Sequence, residues 1–177
     1  AVLCAANLPA AALEPFLKLA AGKPAFAIAV SPAKAVRLMP VLGQVSVLFM
    51  NRRESAAITG LEEKASGRTL PDALRGKGLK AGVVTHGNGP VLGFDAAGAF
   101  TLPPPSPRAI ADVTGAGDAL AGAAVAALLQ GRPLRAALRE GAAAAMLAIE
   151  SRDAVPAFTE AAFAEALALV PEAEEAA

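Results

Sequence analysis

Asp112-Val113-Thr114-Gly115-Ala116-Gly117-Asp118 is the densest group of chemistry-capable residues in the chain. Two glycines and an alanine leave the backbone uncovered where an alanine-rich apolar run begins. That run predicts a helix, and the first N–H groups of a helix have no intrahelical partner. The helix dipole adds partial positive charge at the same end. A start of this kind cradles a phosphate. Asp118 sits just inside it, where a carboxylate is electrostatically allowed and would face whatever the phosphate approaches. The chemistry this suggests is phosphoryl transfer. For G-A-G alone, a tight strand-to-helix turn is an equal explanation. The flanking acids and Thr114 form a denser polar group than a turn needs. No lysine follows the glycines, so this is not a Walker A loop. Leu120 stands where the dinucleotide fingerprint G-x-G-x-x-G wants its last glycine, which argues against a Rossmann-type dehydrogenase.

Two further groups follow apolar runs of strand length. Asn51-Arg52-Arg53-Glu54 reads first as a helix start, with Asn51 as N-cap and Glu54 at the capping-box position. Thr85-His86-Gly87-Asn88-Gly89 lies at the carboxyl end of the run Ala81–Thr85, the edge where α/β folds bind ligands. His86 is the one histidine. With no partner cysteine or second histidine it reads as structural or solvent-facing rather than as a metal ligand. Arg52 and Arg53 could steer polyphosphate, though exposed helix arginines are ordinary. Arg132, Arg135 and Arg139 read as a solvated helical face.

The elements that must position these groups alternate. Ala1–Ala6, Ala25–Val30, Val45–Met50 and Ala81–Thr85 are expected strands, mostly apolar as suits parallel strands covered on both faces. Helices are expected from Asn7 to about Ala20, from Ser31 to near Pro40–Gly43, and from Asn51 to Gly60. A further exposed helix is expected within Leu61–Arg75, with a loop at Ser66–Arg68. Val91–Phe94 and Gly98–Leu102 predict a hairpin behind the Gly87–Pro90 turn. Pro103, Pro104, Pro105 and Pro107 make a stiff connector. Helices at about 115–130, 133–149 and 159–170 follow, and the acidic tail 171–177 is expected to fray. Alternating strands and helices, then a helical end, predict an α/β fold with a largely parallel sheet.

Composition sets the outer limits. The chain has 177 residues, 55% hydrophobic and 18% charged, enough for one domain with a sizeable core. Sixteen Lys and Arg balance 16 Asp and Glu, so there is no general basic field for nucleic acid. Mean hydropathy is +0.48. The longest apolar runs, Ala119–Leu129 and Gly141–Ile149, fall well short of the roughly 18 residues of a spanning helix. No membrane partner is expected. A single Cys4 excludes an internal disulfide framework and fits a reducing, cytoplasmic setting. Ala1 begins directly on a strand with no charged segment ahead of it, which reads as the later part of a longer protein rather than a secretion signal.

The string D-V-T-G-A-G-D-A-L from Asp112 to Leu120 closely resembles the carboxyl-terminal signature of the ribokinase, or PfkB, family of carbohydrate kinases. The resemblance implies a ribokinase-like three-layer α/β/α fold, of which residues 1–177 would be the carboxyl-terminal part, truncated at the N-terminus. It implies ATP-dependent phosphorylation of a hydroxyl on a sugar or nucleoside. Asp118 would be the base, and Gly115, Ala116 and Gly117 the amide donors to the transferring phosphate. Asn51 and Glu54 match the family's N-x-x-E, tied to the magnesium–phosphate network, with Glu54 reaching Mg2+ through water. Thr85 and Gly87 match its T-x-G nucleotide-binding turn. Asp112 and Thr114, with the loop near Ser151, resemble its potassium site. The family also places a nucleobase pocket near Gly141–Ala145, and the longer protein would be a homodimer.

Asn7-Leu8-Pro9 and Val30-Ser31-x-x-Lys34 look most like pseudouridine kinases within that family. The chain departs from the pattern at Ile28-Ala29, where an Asp-Pro pair is usual, and at Phe49-Met50, where Lys-Pro is usual. Pro90 replaces a glycine and has no N–H to offer. The family's sugar-binding residues lie mostly in a preceding portion. The competing expectation is therefore a nucleotide-binding or decayed fragment without catalysis of its own.

Overall fold

The structure is a computed structural model that describes residues 1–65, 67–153 and 155–176. Hydrogen bonding orders seven strands as β1 (Val2–Ala5), β2 (Ala25–Ile28), β3 (Val47–Asn51), β4 (Gly82–Thr85), β5 (Val91–Asp95), β6 (Gly98–Leu102) and β7 (Glu174–Glu175). β1 to β4 run parallel, with Cys4 opposite Ala27, Ala27 opposite Leu48 and Leu48 opposite Gly82. β5 turns back antiparallel on β4, and β6 lies next to β5 in the hydrogen-bonded order, as the predicted hairpin of Val91–Phe94 with Gly98–Leu102 requires. The architecture is the expected α/β fold, a mostly parallel sheet flanked by helices.

The residues divide into two compact units. The first comprises 1–87, 92–99 and the residues from 175 onward. Its helices are α1 (Ala10–Leu19), α2 (Pro32–Ala35), α3 (Arg52–Thr59) and α4 (Thr69–Gly76). Leu13, Leu17, Ile58, Leu70 and Leu74 from these helices bury against Cys4, Ala27, Leu48, Met50, Val84 and Phe94 of the strands. The alternate strand residues Phe26, Val47, Phe49 and Val83 are buried too, outside that cluster. Burial on both faces is why these strands read as unbroken apolar runs rather than alternating ones.

Several boundaries differ from the sequence reading. Pro9, not Asn7, is the N-cap of α1, and Pro15 lies inside it. The second helix is α-helical only over Pro32–Ala35 and continues as a 3-10 segment, Val36–Gln44. Pro40 lies inside that segment and has no N–H to give to an i−4 bond, which interrupts an α-helix there. Within 61–75 the helix is confined to the end, from Thr69, and is half-buried rather than exposed, through Leu70, Pro71 and Leu74. Of the tail expected to fray, Ala177 lies outside the described residues, and Ala176 is held in place. Ala176 N–H donates to the Ala99 carbonyl at 3.0 Å, and Ala176 is buried.

The second unit comprises 88–91 and 100–174. It contains α5 (Ala116–Leu129), α6 (Leu134–Glu150) and α7 (Glu160–Ala168). A Cβ on Gly141 of α6 would come within 2.7 Å of the Leu120 carbonyl of α5. Glycine there lets the two helices approach closely. The alanines around it, Ala137, Ala142, Ala143 and Ala144, are all buried. The three arginines expected to be solvated are engaged. Arg135 lies over the Phe100 ring at 4.8 Å. Arg139 donates to the Val170 carbonyl at 3.0 Å and pairs with Glu172 at 2.6 Å. Arg132 pairs with Glu140 at 3.0 Å.

Candidate functional site

In the first unit the parallel ladder places Asn51 directly opposite Thr85, at the carboxyl ends of β3 and β4. Thr85 Oγ1 donates to the Met50 carbonyl at 3.4 Å, which holds its side chain at that edge. Asn51 ends β3 and caps α3 in a complete capping box. Its side-chain oxygen accepts from Glu54 N–H at 3.0 Å, and Glu54 Oε2 accepts from Asn51 N–H at 2.7 Å. Glu54 is only 5% exposed. Burial raises its pKa, partly opposed by the hydrogen bonds from Asn51. The structural reading of N-x-x-E therefore holds as geometry, and it leaves a desolvated carboxylate that a cation would favour. Gly87 sits two residues past β4 at φ +54°, a left-handed turn suited to glycine. His86 is exposed. Arg52 is occupied locally, donating to the Ala65 and Glu63 carbonyls, and is not free to steer polyphosphate.

In the second unit Gly115 is the N-cap of α5, at φ +81° and ψ −7°, and no side chain caps the helix. Ala116 N–H reaches the Val113 carbonyl only at 3.4 Å, and Ala119 N–H bonds the Gly115 carbonyl at 2.9 Å. The Gly117 and Asp118 amides between them have no backbone or side-chain partner among the described residues. Gly117 is exposed, and a Cβ there would meet no heavy atom within 4 Å. No positive φ and no packing contact explains that glycine. Asp118, in the first turn, is exposed. Asp112 accepts Thr114 N–H at 2.8 Å on Oδ1, and this bond holds its carboxyl below the usual range. Asp112 and Thr114 are both exposed.

The approach to this turn contains residues the motif spacing does not reveal. Ile149, near the end of α6, offers its carbonyl to Ala111 N–H at 2.9 Å and Asp112 N–H at 3.3 Å. Glu150 binds Arg108 at 2.7 Å. Among the described residues no three His, Cys, Asp or Glu side chains gather to hold a metal on their own. No helix among them is long and apolar enough to cross a membrane.

Comparison with known proteins gives these groups a context. A cytidine kinase of Thermococcus kodakarensis is 37% identical over 105 residues, which is 59% of this chain and 37% of that protein. A carbohydrate kinase from Agrobacterium tumefaciens is 43% identical, with a TM-score of 0.82 over 97% of this chain and 55% of that one. Arabidopsis thaliana ribokinase, solved with ribose and ATP, shares the fold at TM-score 0.80 and 22% identity, over 94% of this chain and 55% of its own. The chain thus spans about half the length of these solved structures, and less of the cytidine kinase. The sequence profile of the pfkB family of carbohydrate kinases matches residues 2–161. With a match over most of its length, the chain belongs to the pfkB family of carbohydrate kinases.

Proposed function

We propose that this chain serves ATP-dependent phosphoryl transfer to a hydroxyl of a sugar or nucleoside. The observation that carries the reading is the start of α5. It has unpartnered amides at Gly117 and Asp118, a glycine whose missing side chain nothing else requires, and an exposed carboxylate in the first turn. Asp118 takes the proton of the acceptor hydroxyl as its oxygen bonds the γ-phosphorus. The bond from that phosphorus to the β,γ-bridging oxygen breaks, and ADP leaves. The Gly115–Gly117 amides receive the charge on the transferring phosphoryl oxygens, a task of positioning and electrostatics.

Asn51, Glu54, Thr85 and Gly87 are the nucleotide-side group in this reading. Glu54 is one buried carboxylate with one oxygen given to a backbone N–H. That suits a hydrated Mg2+ shared with nucleotide phosphates, not a cage of protein ligands. When bound, the ion neutralises phosphate charge. Asp112 and Thr114 would hold a monovalent cation such as K+ through a carboxylate oxygen and main-chain carbonyls. Similarity to a cytidine kinase favours a nucleoside acceptor, and the Asn7-Leu8-Pro9 and Ser31-x-x-Lys34 strings favour pseudouridine among nucleosides.

The test is product formation from ATP with pseudouridine, cytidine and ribose as acceptors. Asp118→Asn should keep ATP binding and lose at least about a hundredfold in turnover, a typical general-base contribution. Unchanged turnover removes Asp118 as base. Glu54→Gln should raise the Mg2+ concentration needed for half-maximal nucleotide binding. ATP binding without product from any acceptor would leave the chain as a nucleotide-binding fragment.

A further inference from the structure

The polar contacts leading into α5 come from the far end of α6. Glu150, the last residue of α6, has a side chain only 13% exposed. It accepts three donors from Arg108: the backbone N–H at 2.6 Å, Nε at 3.1 and 3.2 Å, and Nη2 at 2.7 Å. One residue earlier the Ile149 carbonyl holds the Ala111 and Asp112 amides. Asp112 in turn holds Thr114, and Gly115 then opens the helix. Packing does not do this work, since Ile110 is 73% exposed and Val113 67% exposed. An acid at the carboxyl end of a helix also opposes the helix dipole. A local rule broken in this way calls for a compensating interaction, and the forked guanidinium of Arg108 supplies it.

We propose that Glu150, acting through Arg108, is a positioning residue for the anion-binding turn at 112–118. This inference rests on the reading of that turn as the phosphate-binding element. Exposed ion pairs in general contribute little. This one differs in its bidentate geometry, its sheltered carboxylate and the additional backbone donor. Together with Ile149 it makes the last residues of α6 the template on which the loop before α5 is laid.

Amide exchange followed by NMR on the 177-residue chain tests the positioning directly. Arg108→Ala and Glu150→Gln should each speed exchange of Ala111, Asp112 and Thr114 by at least about tenfold, while Leu138–Leu147 within α6 stay protected. Arg108→Lys keeps the charge without the fork and should fall between. The exchanged pair Arg108→Glu with Glu150→Arg should recover part of the protection. Unchanged exchange in Arg108→Ala overturns the proposal, whatever the chain binds. Calorimetric titration with ATP tests the consequence, with binding expected to weaken about tenfold in Arg108→Ala. Equal ATP affinity despite faster exchange overturns the link to phosphate binding. A wild-type chain that binds no ATP sinks the phosphate-binding reading instead, and the exchange result then decides the positioning by itself.

Discussion

Gly117 and Glu54 each carry a cost that their local structure does not relieve: a glycine inside a helix and an acid out of water. Gly117 has neither a positive φ nor a neighbour that a methyl group would touch. Glycine there is a cost in helix propensity of up to about 1 kcal/mol relative to alanine. Gly117→Ala should therefore leave thermal stability unchanged or raised. It should weaken ATP binding by about tenfold, the loss of roughly one charge-assisted hydrogen bond. Calorimetry and a melting curve on the same sample check both. Glu54 is the complementary case, an acid made uncomfortable by burial. Its folded pKa lies above the ordinary 4.5. The folded state therefore binds this proton more tightly than the unfolded state. The sign follows: stability from this group is greatest below 4.5 and falls as pH rises through the raised value. Glu54→Gln keeps an oxygen for Asn51 N–H and should remove that pH dependence without lowering the neutral-pH urea midpoint. Glu54→Ala should lose about 1 kcal/mol with the capping box.

At the scale of elements, the close approach of α5 and α6 depends on Gly141. Alanine would gain helix propensity but would press its methyl against the Leu120 carbonyl, built at 2.7 Å. A backbone atom cannot rotate away, so Gly141→Ala should destabilise by about 1–3 kcal/mol, read from chemical denaturation. Sequence periodicity finds both helices, and the small-residue stretch 141–145 reads as packing. Which carbonyl the glycine meets comes only from the folded pair. The same contrast holds at the carboxyl end of β3. Asn51 and Glu54 are legible as a capping box because the bonds close within three residues. The placement of Thr85 opposite Asn51 is a matter of strand register, 34 residues later in the chain. Val30, just after β2, marks another local surprise. It holds φ +70° in a tight turn in which Ser31 N–H bonds the Ala29 carbonyl at 2.9 Å. A β-branched residue is strained in that conformation, and nothing in the apolar run Ala25–Val30 signals it.

Across the whole molecule, charge is balanced in number but not in titration behaviour. Asp112, Glu150 and Glu14 are held below their ordinary values by Thr114 N–H, by Arg108 and by Lys18 respectively. For each, the unfolded state binds the proton more readily. Their contributions are present above the unfolded pKa and are lost as pH falls through the lowered folded values. Glu54 works in the opposite sense. Each of the three favours a loss of stability as pH falls through its lowered value, against the gain from Glu54. Urea midpoints measured from pH 7 to pH 3 check this. Glu150→Gln should flatten part of the acid limb, and an unchanged slope would remove Glu150 from the account.

By itself, the sequence determined the order of elements and the candidate phosphate-binding start, because these rest on local physics. Unbroken apolar runs mark strands buried on both faces. Gly115, with its left-handed backbone, opens α5 as G-A-G predicts, and Gly60 closes α3. Only the tertiary structure decided what holds those local pieces in place. Arg108 meets Glu150 across 42 residues of chain, and Arg139 reaches Val170 across 31. Neither pairing is legible in the sequence, since a charged residue at the surface is most often solvated. The tail that composition alone would leave frayed is pinned at Ala176 by a carbonyl far back in the chain. Contacts of this kind depend on loop closure and strand register, which no residue encodes within its own turn of chain.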